Sequence, residues 1–158
     1  MIRSTQGERF RSAEVLTFRE FAMGEPLPLS TLHQAVLEFM RGRNDVVLFG
    51  AQAVNAYVDE PRMTQDLDLM STRAGEVARE LCVYLRDRFH IAVRVRTVGS
   101  GQGLRVFQVR KPANRHLVDL RPVAALPAAE RIAGVLVIAP VELIARKVIA
   151  YYRRRGRP

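Results

Sequence analysis

Short apolar runs and helical periodicities alternate along the chain. Val46–Phe49 is a continuous apolar run, rich in β-branched residues, that ends at a glycine and so predicts a short buried strand. Residues 51–58 are predicted to form a helix directly after it. The next strand carries Asp66-Leu67-Asp68, in which polar and apolar residues alternate with the period of a strand. Strand, glycine turn, helix and strand therefore follow one another.

Three longer segments have apolar residues at helical spacing. Residues 30–42 predict the first helix, with Ser30 able to cap its start and Gly42 able to end it. Residues 72–89 predict a long amphipathic helix, and residues 140–154 predict a last helix that begins with a proline. The expected buried stripes are Leu32, Ala35, Val36, Phe39 and Met40 in the first helix, Val77, Leu81, Tyr84 and Leu85 in the second, and Ile144, Val148 and Tyr151 in the last.

Two further strands are predicted to pair as a hairpin. Residues 91–97 alternate as a strand, and Gly99–Gly103 turns the chain into a partner strand, Leu104–Val109. The glycine-rich loop could instead hold a phosphate, but no helix follows it, so the hairpin is favoured. The whole pattern predicts one mixed α/β domain over residues 29–158. Residues 1–28 are expected to be an N-terminal extension that ends in a linker, Met23–Pro28.

Composition points to a reducing compartment and a polyanionic partner. The formal net charge is +9 and the isoelectric point is near 10.9, almost entirely through arginine. Cys82 is the single cysteine, so no disulfide framework exists and a cytoplasmic location is predicted. No continuous apolar run predicts a signal peptide or membrane span. The three histidines lack ligand spacing, so zinc is not expected.

The end of the chain is densely basic. Residues 151–157 combine two tyrosines with four arginines. Such a segment could bind an RNA backbone, or it could be a frayed terminus, and the sequence alone favours neither.

The pair Asp66 and Asp68 carries the clearest chemical signal. Side chains in a strand repeat direction every second residue, so both carboxylates share one side while Leu67 and Leu69 point into the core. Two adjacent carboxylates repel each other, and a stable fold keeps such a pair mainly where a cation neutralises it. Their oxygens suit Mg²⁺ or Mn²⁺, which take other ligands from water and substrate phosphates. The alternative is a solvated pair without a metal.

The turn Gly50-Ala51 is a candidate phosphate-binding element that would complement the carboxylate pair. A helix N-terminus offers free N–H groups and partial positive charge, and small residues allow a phosphate to approach the backbone. A phosphate-binding turn and a carboxylate pair together predict a metal-nucleotide site.

This order of motifs resembles the nucleotidyltransferase superfamily, with its DNA polymerase β-like fold. The signature of that superfamily is a strand ending in small residues, then a helix, then a strand with Asp-hydrophobic-Asp. The closer resemblance is to the AbiEii-like toxins, through Arg62-Met63-Thr64-Gln65-Asp66-Leu67-Asp68, and it covers roughly residues 30–152. It implies a mixed β-sheet flanked by helices, with a C-terminal helix. It also implies a domain shortened at its C-terminus, because family members usually continue past this point.

The resemblance implies a third acidic residue on a later strand, which Asp119 supplies. An adjacent antiparallel strand could bring Asp119 beside Asp66 and Asp68 as a third metal ligand. The alternative is a salt bridge from Asp119 to Arg121 or Arg115.

The resemblance also implies nucleotide contacts. Arg62 and Thr64 would bind the nucleotide together with Gly50 and Ala51, although Ala51 lacks the hydroxyl that the family often has. Lys147 lies at the edge of the predicted stripe of the last helix, where it could contact the triphosphate or transfer a proton. Its alternative is extension into solvent.

The sequence therefore predicts an enzyme that moves a nucleoside monophosphate from an NTP to an acceptor hydroxyl. Asp66, Asp68, Asp119 and Lys147 are the predicted catalytic residues, and Mg²⁺ or Mn²⁺ is the predicted cofactor. The acceptor expected from charge and resemblance is RNA, such as a tRNA end, in a toxin whose partner is an antitoxin protein. The competing hypothesis is a catalytically silent module of the same fold that binds nucleic acid or a partner protein.

Overall fold

A computed structural model describes residues 18, 20, 24–62 and 64–156 of the 158-residue chain. Most of the proposed N-terminal extension lies outside these residues. The helices are α1 (Leu29–Met40), α2 (Gly50–Asn55), α3 (Ala74–Phe89) and α4 (Pro140–Arg155). The strands are β1 (Val46–Phe49), β2 (Leu67–Ser71), β3 (Val93–Val98), β4 (Gly103–Gln108), β5 (Arg115–Pro122), β6 (Ala129–Ile132) and β7 (Val135–Ile138).

The strands form one mixed sheet in the order β3-β4-β5-β2-β1-β7-β6. Two of its pairs are parallel, β2 with β5 and β1 with β7, and the other four are antiparallel. This architecture confirms the predicted mixed α/β fold. It also confirms the β3–β4 hairpin, whereas the β6–β7 hairpin had no counterpart in the sequence analysis.

The position of β5 corrects one expectation. β5 lies beside β2 as predicted, but it runs parallel to β2 rather than antiparallel. The chain crosses over through α3, enters the β3–β4 hairpin, and returns as β5 between β4 and β2. β5 is antiparallel to β4, and β4 is antiparallel to β3. β5 therefore runs in the direction of β3, which is also the direction of β2.

The core lies between the sheet and the helices α1 and α3. Their predicted apolar stripes are buried, apart from two rings at the periphery: Phe39 and Tyr84 are only partly buried and contact each other with centroids 5.4 Å apart. Cys82 is a free, buried thiol within this core, as its apolar surroundings on α3 predict.

The start of α1 differs from the prediction. The helix begins at Leu29 after Pro28, so Ser30 lies inside it and does not cap it. The carboxylate of Glu20 accepts the Leu29 N–H at 2.8 Å and takes the place of a cap. Residues just before the helix are also anchored, since the buried guanidinium of Arg115 donates to the Leu27 carbonyl at 2.8 Å. The predicted linker is therefore fixed to β5 at this point.

The orientation of α4 contradicts the predicted stripe. Ile144, Val148 and Tyr151 are 62%, 48% and 53% exposed, and Leu143 is the one buried residue of this helix. The prediction of a helix beginning at Pro140 was correct. Periodicity identified an apolar face of the helix, but it carried no information on which face the sheet would contact.

His33 gives the folded state a pH dependence. It lies in α1 with 4% of its surface exposed, and burial lowers its pKa to about 4, against an opposing effect of Asp66. The unfolded chain binds a proton near pH 6.5 that the folded chain does not, so stability present above pH 6.5 is lost progressively as the pH falls toward 4. The expected slope approaches about 1.4 kcal/mol per pH unit in that window. Urea unfolding from pH 7 to 4.5 measures it.

A His33→Gln variant tests this assignment. We expect its unfolding free energy to be lower at pH 7 but flatter with pH, whereas exposed His90→Asn should keep the wild-type slope. Equal slopes for wild type and His33→Gln would show that another group governs acid sensitivity.

Candidate functional site

The sheet brings two of the predicted carboxylates side by side. Asp68 on β2 and Asp119 on β5 are register partners in adjacent parallel strands. Parallel partners point to the same face, and neighbouring strands are about 4.8 Å apart. Two aspartates separated by 51 positions in the chain therefore become immediate neighbours.

Asp68 has the strongest electrostatic signature of the pair. Leu67 and Leu69 on either side of it are completely buried, as the alternation predicted, and the Asp68 carboxylate is half-buried. Burial raises the pKa of Asp68, and the charges of Asp119 and Asp66 raise it further. The two neighbouring carboxylates therefore oppose the charge of Asp68, in addition to the cost of its burial.

Gly50 joins the predicted turn to the carboxylate. Its φ angle is +73°, and a Cβ atom built on it would lie 2.4 Å from Oδ2 of Asp68. Only glycine satisfies both the left-handed backbone and this contact. The two sequence motifs therefore meet in space, and Asp68 lies against the β1–α2 turn.

Asp66 was predicted to share a strand with Asp68, but β2 begins at Leu67 and Asp66 lies just before it. Asp66 contacts His116, a residue to which the sequence analysis gave no role. The carboxylate is 55% exposed, and its Oδ1 is 3.1 Å from Nδ1 of His116. The second ring nitrogen, Nε2, is buried and is 3.0 Å from Oδ1 of Asp119. The angles of this contact do not meet those of a hydrogen bond. His116 thus stands between Asp66 and Asp119. The i,i+3 spacing of His116 and Asp119 was the available sequence signal.

Asp119 has an ionic partner, but not one that the sequence suggested. The alternative to a metal-ligand role was a salt bridge to Arg121 or Arg115; neither occurs among the ion pairs of the described residues, and Arg105 of β4 pairs with Asp119 instead. Its Nε donates to Oδ1 at 2.9 Å and its Nη2 donates to Oδ2 at 3.2 Å. Arg105 and Asp119 are cross-strand partners, so only the β4–β5 register could have revealed the pair.

The donor set was tested for its fit to a divalent cation. Asp68, Asp119 and Asp66 offer carboxylate oxygens, which are the ligands that Mg²⁺ and Mn²⁺ prefer. Burial and the neighbouring carboxylates raise the pKa of Asp68, and a bound cation would oppose that shift. Within residues 24–62 and 64–156, however, no group of three or more His, Cys, Asp or Glu is arranged to hold a metal ion. The Asp68–Asp119 pair fits a hard cation in its chemistry, and the third ligand is not preassembled.

The loop before Asp66 is held by two buried amides of α2. Asn55 donates to the Arg62 carbonyl at 2.7 Å and accepts the Arg62 N–H at 3.0 Å. Gln52 accepts from the Thr64 hydroxyl at 2.8 Å and from Asn55 at 2.9 Å. The predicted nucleotide-binding residues Arg62 and Thr64 are thereby fixed near the site by their backbone and hydroxyl, while the Arg62 side chain is exposed.

The remaining predicted contacts are less well supported. Ala51 is exposed in α2, and this helix has six residues, so it ends at Asn55, before the predicted Val58. Lys147 is exposed on α4, and it lines neither of the two clefts described next.

Two clefts meet at the guanidinium of Arg121. The carboxylate cleft, about 720 Å³, contains Asp68 and Asp119 and is bounded by Phe49, Arg121 and the hairpin loop Gly99–Gly103. The arginine cleft, about 650 Å³, lies between Arg121 and α4. Arg121 lines both, with its guanidinium 5.3 Å from the centroid of the Phe49 ring.

The comparisons with known proteins can be set against this geometry. No family model matches the sequence, and a search of curated proteins finds no match. Among solved structures, the chain is similar to the polyadenylate synthase of Megavirus, with a TM-score of 0.66 and 14% sequence identity. The similarity covers 83% of this chain and 28% of the viral chain. At this identity it establishes the fold, which is the nucleotidyltransferase fold expected from the motifs.

Among the described residues, no helix has both the length and the apolar character needed to cross a bilayer.

Proposed function

We propose that this protein is a metal-dependent nucleotidyltransferase, which moves a nucleoside monophosphate from an NTP to an acceptor hydroxyl. The observation that carries the proposal is the register pairing of Asp68 with Asp119, with Gly50 against Asp68. The fold shared with a polyadenylate synthase supports the same reaction class.

Asp68 and Asp119 would hold Mg²⁺ or Mn²⁺, with Asp66 as the additional ligand. When bound, the cation supplies charge neutralisation for the triphosphate and makes the acceptor hydroxyl more acidic. Asp119 would also help to remove the hydroxyl proton. Because Arg105 donates to both oxygens of Asp119, a cation would have to share this carboxylate with the guanidinium.

Cationic side chains would bind the phosphates around this pair. Arg121 is the best-supported of these, since it lines the carboxylate cleft and its charge lowers the pKa of Asp68 against the raising effects. The resemblance adds Arg62 and Lys147 as charge-offsetting groups, with Thr64 and the N–H groups of Gly50 and Ala51 as phosphate contacts. These five assignments rest on the motif pattern.

The proposed acceptor is RNA, with a tRNA end as the first candidate. A net charge of +9 supports a polyanionic acceptor. The AbiEii-like motif at residues 62–68 adds a toxin role, in which an antitoxin protein would be the restraining partner. The toxin role has no support beyond that motif.

A catalytically silent binding module is the second candidate, and one contact favours it. Arg105 already neutralises Asp119, which resembles a structural ion pair more than an open metal site. Such a module would bind nucleic acid or a partner protein in a manner indifferent to Mg²⁺, NTP and Asp66.

The decisive experiment offers each of four α-labelled NTPs, with Mg²⁺, to total RNA and to the protein itself. We expect label on RNA with the wild type and with the exposed control Asp87→Asn, and none with the double variant Asp66→Ala/Asp68→Ala. Transfer that survives in a folded double variant would refute the proposed site. Nucleic-acid binding without any label transfer would favour the silent module.

A further inference from the structure

The arginine cleft gathers several positively charged side chains around one concavity. Four arginines line it: Arg121 from β5, and Arg146, Arg153 and Arg154 from α4. Glu142 is the single carboxylate among its lining residues, so positive charge is in clear excess. The remaining lining is small or apolar.

These four arginines belong to the larger group of described arginines that have no acidic partner, and they are gathered around one concavity. Among the ion pairs of residues 24–62 and 64–156, none involves any of the four. Six other arginines are paired with carboxylates within the fold, namely Arg43, Arg73, Arg88, Arg105, Arg110 and Arg115. Guanidinium groups without internal counter-ions, gathered around one concavity, suit an external polyanion.

The geometry of α4 matches an extended ligand. Arg146 and Arg153 are seven residues apart, so they lie on one face of the helix at a separation of about 10 Å along its axis. A nucleic-acid strand advances about 3.4 Å per nucleotide when stacked, so this distance corresponds to about three nucleotides. A single triphosphate that has to reach Asp68 is too short to engage the whole row.

We propose that the arginine cleft binds the phosphodiester backbone of the RNA acceptor and directs its end past Arg121 to Asp68 and Asp119. This inference deepens the proposed function and rests on it for the identity of the acceptor. Arg121 joins the two clefts, so a strand that lies along α4 enters the carboxylate cleft beside Phe49. Recognition is expected to follow charge, with little dependence on base sequence.

Binding can be measured without chemistry. Fluorescence anisotropy of a short labelled single-stranded RNA, in EDTA and without NTP, reports binding for the wild type and for Arg146→Ala/Arg153→Ala. We expect the double variant to bind at least about tenfold more weakly, and its log–log salt slope to be smaller by about 1.4, since each lost phosphate contact removes about 0.7. The matched control, Arg79→Ala/Arg94→Ala, removes the same charge from exposed positions on α3 and β3 and should bind nearly as the wild type does.

Two further binding experiments distinguish an RNA backbone from other phosphate-containing ligands. A DNA strand of the same sequence shows whether the ribose hydroxyl contributes, and tripolyphosphate with NTP shows whether the cleft prefers a triphosphate. Unchanged RNA binding in the folded double variant overturns the proposal, and so does a loss confined to NTP or tripolyphosphate. Weakened RNA binding together with a wild type that transfers no label leaves this inference standing and removes the proposed enzymatic function instead. Circular dichroism verifies that α4 is intact in both double variants.

Discussion

Replacing Asp68 by Asn is expected to abolish nucleotide transfer while making the protein more resistant to heat. If the proposed function holds, the activity should fall by at least about 10³, because losing a proposed metal ligand would remove several kcal/mol of transition-state stabilisation. The stability gain has a separate cause. The folded-state pKa of Asp68 is raised by burial and by Asp119 and Asp66, so its ionised form opposes folding at neutral pH.

The sign of this effect defines its pH window. A carboxyl whose pKa is higher in the folded state binds its proton more tightly there, so the destabilising contribution of Asp68 disappears as the pH falls through that raised pKa, opposite in sign to the contribution of His33. The advantage of Asp68→Asn should therefore be greatest near pH 7 and should shrink under acid. Partial exposure screens the effect, so we expect a rise in Tm of about 2 °C at pH 7.

The difference in Tm between the wild type and Asp68→Asn can be measured by thermal unfolding from pH 4 to 8, with and without Mg²⁺. Mg²⁺ should raise the Tm of the wild type and leave that of Asp68→Asn unchanged. Asp87→Asn, an exposed substitution of the same chemistry, should follow the wild type in every condition. A variant that is less stable than the wild type at pH 7 would mean that the Asp68 carboxylate contributes contacts that outweigh its electrostatic cost.

Gly50→Ala is expected to cost both stability and activity. A Cβ at this position would meet Asp68 Oδ2 at 2.4 Å while the backbone holds φ at +73°. The left-handed conformation alone costs an L-residue about 1 kcal/mol or more, and steric overpacking typically adds 1–3 kcal/mol. Either the turn or Asp68 has to move, so transfer activity should be lost even at temperatures where the variant remains folded.

Gly42→Ala is the matched control for this experiment. Gly42 has φ +75°, and a Cβ there would have nothing within 4 Å, so it isolates the backbone contribution from the steric one. We expect Gly42→Ala to lose about 1 kcal/mol in urea unfolding and to keep full activity. Equal losses in the two variants would show that the contact with Asp68 has no energetic weight.

Local patterns in the sequence were sufficient for most of the fold near the site. The run Val46–Phe49, the glycine after it and the alternation around Asp68 each depend on neighbouring residues, and each was found where it was expected. The resemblance then assigned Asp119 to the same site, and the sheet places it beside Asp68. The metal, the nucleotide and the catalytic roles stay predictions.

Features that depend on long-range packing could not be predicted from local sequence patterns. The direction of β5 relative to β2 depends on the crossover through α3 and on the hairpin that follows it. Arg105 contacts Asp119 only because the β4–β5 register makes them cross-strand partners. The same limit explains α4: Ile144 and Val148 form an apolar stripe, yet the opposite face, with Arg146, borders the cleft. Periodicity defines faces, whereas topology decides what each face meets.

The insertion of β5 between β4 and β2 has a consequence for how the protein is made. The first strands of the sheet form from neighbouring segments, as does the β3–β4 hairpin, and such local pairings are fast. Asp68 and Asp119 come together only when a loop of about 50 residues closes, which carries a larger entropic cost than a hairpin. A nascent chain that has not yet emerged as far as β5 cannot assemble the carboxylate pair. The proposed activity therefore has to wait until five of the seven described strands have been synthesised.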